Sequence, residues 1–183
     1  AGMGADVTLM DINVERLRRA EEIIPANVKT LFSTDYTIRE AVRNADLVIG
    51  AVLITGAKAP KILTREILRE MKEGAVLVDV SIDQGGISEF SKPTTHKDPV
   101  FVAEGVVHYC VANMPGAVPR TSTFALTNST LRYVIKLADM GWKDAIRSDR
   151  SLARGVNLVK GFVTHKAVAE AFGLDYHPVE EFI

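Results

Sequence analysis

The sequence predicts an α/β fold: a doubly wound parallel sheet followed by a mostly helical C-terminal segment. Three observations carry that prediction. Short runs rich in Val, Ile and Leu alternate with segments of helical periodicity over residues 6–80, and the connections between them are only a few residues long. The run Leu47-Val48-Ile49-Gly50-Ala51-Val52-Leu53-Ile54 is too continuously apolar to present a wet face. Alternation of this kind lays parallel strands between layers of helices, and a strand covered on both faces loses the polar alternation of an exposed sheet.

Each element follows from its residues. Asp6-Val7-Thr8-Leu9-Met10-Asp11 is a buried strand ending on an acid. Residues 14–24 form a helix, with Val14, Leu17, Ala20 and Ile24 on one face and Glu15, Arg16, Arg18, Arg19 and Glu22 on the other, and Pro25-Ala26-Asn27 stops it. A second strand over 28–32, a short helix over 37–43 and a third strand over 47–54 come next. After the turn Thr55-Gly56-Ala57-Lys58-Ala59-Pro60, Thr64 caps a helix reaching Met71 and Gly74 ends it. Residues 75–80 are a strand, apolar except for Asp79. From 81 to 99 the pattern dissolves into Gly, Ser, Pro and Thr, and a long loop at the end of a buried strand is usually functional. Short strands over 100–102 and 107–111 follow.

Beyond the Pro-Gly punctuation of 113–119, Ser122 or Thr123 opens a long helix whose Phe124, Leu131, Val134, Ile135 and Ala138 mark one stripe. A boundary near Arg120 divides a domain of residues 1–120 from a segment of residues 121–183. The rest of that segment reads as mostly helical, over 142–147, over 152–163 and, capped by Thr164, up to 172. It is too small to form a core alone and is expected to pack on another part of the protein.

Composition narrows the function. The 183 residues carry 22 Lys plus Arg against 23 Asp plus Glu, a formal charge of -1 that offers no field to attract nucleic acid or an anionic membrane surface. The single cysteine, Cys110, cannot form an internal disulfide, and histidines at 96, 108, 165 and 177 supply no zinc-ligand spacing, so no metal is expected. The cysteine usage suits a reducing cytoplasm. No run approaches the ~18 apolar residues of a membrane span, and the first residues lack a signal-peptide pattern.

Gly2-Met3-Gly4-Ala5 resembles a glycine-rich phosphate loop, but such a loop follows a strand and opens a helix, whereas this one runs straight into a strand. Asp11 fits a different part of the Rossmann dinucleotide fold. The acid that grips the adenosine ribose ends the second strand, ~20 residues beyond the glycine motif. Counting back from Asp11 puts that motif and the first strand ahead of Ala1, so the chain reads as a fragment that begins mid-domain. In strand order 3-2-1-4-5-6 the absent strand is central, and strands 2 and 3 are then parted from strand 4. A turn-forming Asp at a strand end is the plainer alternative for Asp11. Its place between an apolar strand and a helix favours the ribose role, and a carboxylate there repels a 2′-phosphate, which selects NAD over NADP. Arg16 could lie over the adenine, or be a solvated helix arginine.

Three further stretches resemble the alanine dehydrogenase family: Ala51-Val52-Leu53-Ile54-Thr55-Gly56-Ala57-Lys58-Ala59-Pro60, Val78-Asp79-Val80-Ser81-Ile82-Asp83-Gln84-Gly85-Gly86, and Tyr109-Cys110-Val111-Ala112-Asn113-Met114-Pro115-Gly116-Ala117-Val118-Pro119. The resemblance covers essentially the whole chain, including Ser91-Lys92-Pro93-Thr94-Thr95-His96 and Thr121-Ser122-Thr123, and corresponds to the C-terminal half of those enzymes. Thr55 departs from the family's usual Pro. The resemblance implies reversible oxidative deamination of L-alanine by NAD to pyruvate and ammonium, in the cytoplasm, by a homo-hexamer. It makes Asp83 the catalytic aspartate, holding the substrate ammonium or iminium and helping to manage its protons. It carries cofactor contacts onto Asp11, Arg16, Ser33, Val52, Leu53, Val80, Asn113 and Met114, with core packing or loop capping as the alternative for each. The family's catalytic histidine, and the lysine and arginine that bind the substrate carboxylate and carbonyl, belong to the N-terminal half. His96 is not that histidine, His108 reads as a packed strand residue, and Cys110 as structural. The rivals are the NAD-binding subunit of a proton-translocating transhydrogenase, which generally lacks the Ile82-Asp83-Gln84-Gly85-Gly86 run, and a non-catalytic NAD-binding module.

Overall fold

A computed structural model of the chain describes residues 1–24, 27–54 and 58–183. Strand β1 (Val7–Asp11) pairs in parallel with β2 (Val28–Phe32), Val7 lying opposite Val28 and Asp11 opposite Phe32. Between them runs α1 (Val14–Ile23), whose first turn is capped by the Asn13 side chain accepting from the Arg16 N–H and whose Leu17 and Ala20 are buried. Helix α2 (Asp35–Arg43) begins two residues earlier than apolar periodicity suggests. Thr34 and Thr37 form a reciprocal cap there, satisfying backbone N–H groups that would otherwise be orphaned.

A second sheet has the order β3-β4-β6-β5: β3 (Leu47–Gly50), β4 (Val76–Asp79) and β6 (Val106–Tyr109) are parallel, and β5 (Val100–Ala103) is antiparallel to β6. The crossover from β3 to β4 is α3 (Arg65–Glu70), capped by the Thr64 hydroxyl. Its Ile67 and Leu68 enter a core with Leu63, Leu77, Ile87 and Val106. Helix α2 is tied to α3 at Glu70, whose carboxylate receives both Arg39 and Arg43. No ladder joins the two sheets among the described residues.

Several elements depart from the sequence reading. The strand expected over 47–54 ends at Gly50, because its partner β4 ends at Asp79 and a parallel ladder runs only as far as both strands do. Leu47 and Ile49 stay exposed, so the expected cover on both faces is absent among the described residues. Residues 155–163 are not helical. Helix α5 (Arg150–Arg154) stops at Gly155, and β7 (Leu158–Val159) and β8 (Phe162–Val163) form an antiparallel hairpin across Lys160 and Gly161, both at positive φ. Thr164 does not cap α6 (Lys166–Phe172), since its hydroxyl donates to the Val156 carbonyl at 3.0 Å. Helix α4 (Pro119–Ser148) starts with a proline in its first turn, ahead of Ser122, and is interrupted at Gly141 (φ 71°). Its stripe of Phe124, Leu131, Val134 and Ile135 lies exposed. No described helix is long and apolar enough to cross a membrane. The helix stop at Pro25 and Ala26 and the turn at Thr55, Gly56 and Ala57 lie outside the described residues.

Candidate functional site

Parallel strands share a carboxyl edge, where the backbone leaves the sheet and side chains become free to face a ligand. At the end of β1 the Asp11 carboxylate accepts from the Asn13 N–H at 2.8 Å and lies 3.6 Å from the Arg16 guanidinium. Ser33, just past β2, donates its backbone N–H to the Asp11 carbonyl at 3.1 Å. The β1–β2 register sets Asp11 beside Ser33, and the first turn of α1 brings Arg16 back to it. At 3.6 Å Arg16 is an ion-pair neighbour rather than a hydrogen-bond donor, which leaves Asp11 with lone pairs for other hydroxyls.

Beyond β3, the Val52 carbonyl accepts from Ser81 Oγ at 2.8 Å. The Gln84 side chain donates to the Ile54 carbonyl at 3.1 Å and accepts from its N–H at 3.3 Å. The Val52 side chain packs against the core, whereas Leu53 is 77% exposed and Val80 50% exposed, giving the edge an apolar surface.

Asp83 stands in the 3₁₀ turn Val80–Gln84 that follows β4, and it is exposed. The turn is built on Asp79, a fully buried carboxylate. One Asp79 oxygen accepts from the Ser81 N–H at 3.1 Å, and the other from the Ile87 N–H at 2.8 Å and Ser91 Oγ at 2.5 Å. A buried charge is tolerated only when its lone pairs are met in this way. Gly86 sits at φ 75°, where a Cβ would fall 2.3 Å from Ser91 Cβ and 2.5 Å from Asp79 Oδ2. Only glycine closes the turn onto that carboxylate.

After β6, Asn113 leads into the 3₁₀ turn Met114–Ala117. The Asn113 carbonyl lies 2.6 Å from His96 Nε2 and accepts from the Gly116 N–H at 3.0 Å, so His96 props this loop. Met114 is half-buried. His108 is fully buried and stacked on Phe101, with Nδ1 3.0 Å from the Val106 carbonyl, and burial pushes its pKa down. Cys110 is fully buried too, and burial pushes its thiol up to about 11, which makes it a poor nucleophile.

The sequence profile of the family described as "Alanine dehydrogenase/PNT, C-terminal domain" matches residues 1–166. The chain belongs to this family. Among curated relatives, alanine dehydrogenase of Halomonas elongata is 57% identical over 175 residues, 96% of this chain and 47% of the relative. That of Lysinibacillus sphaericus is 55% identical over 183 residues, 100% of this chain and 49% of the relative. A solved L-alanine dehydrogenase superposes with a TM-score of 0.80 at 48% identity, covering 94% of this chain and 47% of that one. A transhydrogenase structure from Sinorhizobium meliloti reaches a TM-score of 0.59 at 24% identity over 67% of this chain and 36% of its own, a likeness of fold. The chain spans about half the length of the curated relatives it matches.

In this alanine dehydrogenase/PNT C-terminal domain the sequence-predicted residues fall into three groups, one at the carboxyl end of the β1–β2 sheet and two at that of the β3-β4-β6-β5 sheet. Arg16 and Ser33 each meet Asp11; Val52 and the turn of Val80 and Asp83 are joined through Ser81; Asn113 and Met114 share the loop after β6. Sequence reasoning passed over the frame behind them. Asp79 was visible as the one acid in an apolar strand, but its partners Ile87 and Ser91, and the hold of Gln84 on Ile54, join positions far apart in sequence.

Proposed function

We propose that the chain is the NAD-binding part of an enzyme that reversibly deaminates L-alanine to pyruvate and ammonium. The observation that carries this reading is Asp83: an exposed carboxylate on a rigidly framed turn at the carboxyl edge of β4, in a chain whose relatives bear the name alanine dehydrogenase. The edge suits NAD. Asp11, with acceptor capacity to spare, would take the ribose hydroxyls and repel a 2′-phosphate. Arg16 would lie over the adenine, with Ser33 beside the ribose. Leu53, Val80 and Met114 would wall the cofactor's flat rings, with Val52 behind them and the Asn113 amide as a polar contact. When bound, NAD supplies the oxidant of a two-electron step. Asp83 would balance the substrate ammonium and exchange its protons. The carboxylate-binding and histidine groups would come from a further, N-terminal half of the protein. Residues 121–183 would pack on that half, within a cytoplasmic homo-hexamer.

Asp83→Asn in the complete enzyme tests the reading. Asn makes the same turns but neither balances an ammonium nor exchanges a proton. We expect kcat to fall ~10²-fold or more, with NAD affinity and the thermal midpoint little changed. A variant that keeps most of its turnover removes Asp83 from the chemistry. Matched losses of activity and stability leave it as a structural turn residue.

A further inference from the structure

We propose that Lys61 is a positioning residue for Asp83, holding the shape of the catalytic turn together with Asp79. The inference rests on the role given to Asp83 above. Lys61 lies in the segment between β3 and α3, and its ammonium donates to the carbonyls of Gly85 at 2.5 Å, Gly86 at 3.0 Å and Ser88 at 2.9 Å. An ammonium has three protons, and here each meets one carbonyl.

Gly85 and Gly86 both adopt positive φ, 93° and 75°, which swings successive carbonyls toward one point. The negative ends of these converging dipoles repel each other unless a cation sits among them. Asp79 meets the N–H groups of Ser81 and Ile87, whereas Lys61 meets the carbonyls of Gly85, Gly86 and Ser88. An anion thus holds donors of the stretch that carries Asp83, and a cation holds its acceptors.

Joining segment 58–63 to segment 84–89 does not need Lys61. The Ala59 N–H already donates to the Gln84 carbonyl at 2.8 Å, the Leu63 N–H to Ile87 at 2.9 Å, and the Glu89 N–H to Leu63 at 3.1 Å. What remains for the ammonium is the local shape of the turn, and through it the place of the Asp83 carboxylate.

The test is steady-state kinetics of the complete enzyme with L-alanine and NAD, alongside thermal unfolding. Lys61→Met keeps most of the stem and removes the charge. Displacing a catalytic group by a fraction of an ångström to an ångström is costly, so kcat falls about tenfold or more, while KM for NAD and the thermal midpoint stay close to wild type. Lys61→Arg keeps the charge, but its planar fork cannot meet three converging carbonyls as an ammonium does, so its kcat lies between Met and wild type. Should Lys61→Met not fold, Lys61→Arg decides: a reduced kcat at unchanged KM for NAD supports the proposal, and wild-type kcat overturns it. It is also overturned by a Met variant of wild-type kcat, by losses of kcat, NAD affinity and stability that run in step, or by an Arg variant no better than Met. A wild type that does not turn over alanine removes the functional reading and this proposal together; an active wild type with an equally active Met variant removes the proposal alone.

Discussion

Asp11 separates two roles that look alike on paper. Its carbonyl is held by Ser33 past β2 and one carboxylate oxygen serves the local turn through Asn13, while Arg16 at 3.6 Å leaves the other oxygen uncommitted. A turn residue and a ribose ligand therefore predict different outcomes. For Asp11→Ala or Asp11→Ser in the complete enzyme we expect weaker NAD binding and a smaller advantage over NADP. Losing a hydrogen bond to a charged group typically costs ~1.5–3 kcal/mol, roughly ten- to a hundredfold in affinity. Michaelis constants unchanged for both cofactors would leave Asp11 as a turn former only. Asp79 is the contrasting case, since every interaction it makes is spent inside the protein, on Ser81, Ile87 and Ser91.

Between elements, one contact that titrates joins α2 to α3. The paired guanidiniums of Arg39 and Arg43 hold the Glu70 carboxyl at about 2, below its ordinary 4.5. A carboxylate depressed in the folded state contributes stability that is fully present above its unfolded pKa and is lost as pH falls toward the folded one. The loss from this pair therefore falls between about pH 4.5 and 2. Glu70→Gln makes the unfolding midpoint less sensitive to pH across that window, which thermal scans from neutral to acid pH measure. Because the arginines are well exposed, added salt shrinks the difference. An identical acid slope in wild type and variant would remove Glu70 as the acid-labile link between the two helices.

At the scale of the molecule, the described chain leaves much apolar surface uncovered. Leu47 and Ile49 of β3 are 53% and 62% exposed, and Phe124, Leu131, Val134 and Ile135 form an exposed stripe on α4. Two sheets without a shared ladder add open backbone edges. Residues 1–183 expressed by themselves are accordingly expected to associate with concentration rather than behave as a stable monomeric enzyme. Sedimentation over a range of concentrations checks this. A monodisperse monomer that unfolds cooperatively at ordinary mesophile temperatures and turns over alanine would contradict it.

Sequence alone determined whatever depends on neighbours in the chain. The parallel α/β order, the Thr64 cap, the acid at the end of β1 and the Asp83-Gln84-Gly85-Gly86 turn after β4 were all legible, because periodicity, capping and turn chemistry act over a few residues. Short apolar stretches were not, and 158–163 is a hairpin where helix was expected, since so few residues carry no decisive period. Tertiary structure alone decided where β3 stops, because that depends on where β4 ends. It also decided the frame of the candidate site. Asp79 reaches Ser91 across twelve residues, Lys61 reaches Gly85 across twenty-four, and Gln84 reaches Ile54 across thirty. Side-chain hydrogen bonds of that span have no period to betray them; they exist only once the sheet has set β3 beside β4 and brought the loops after them into contact.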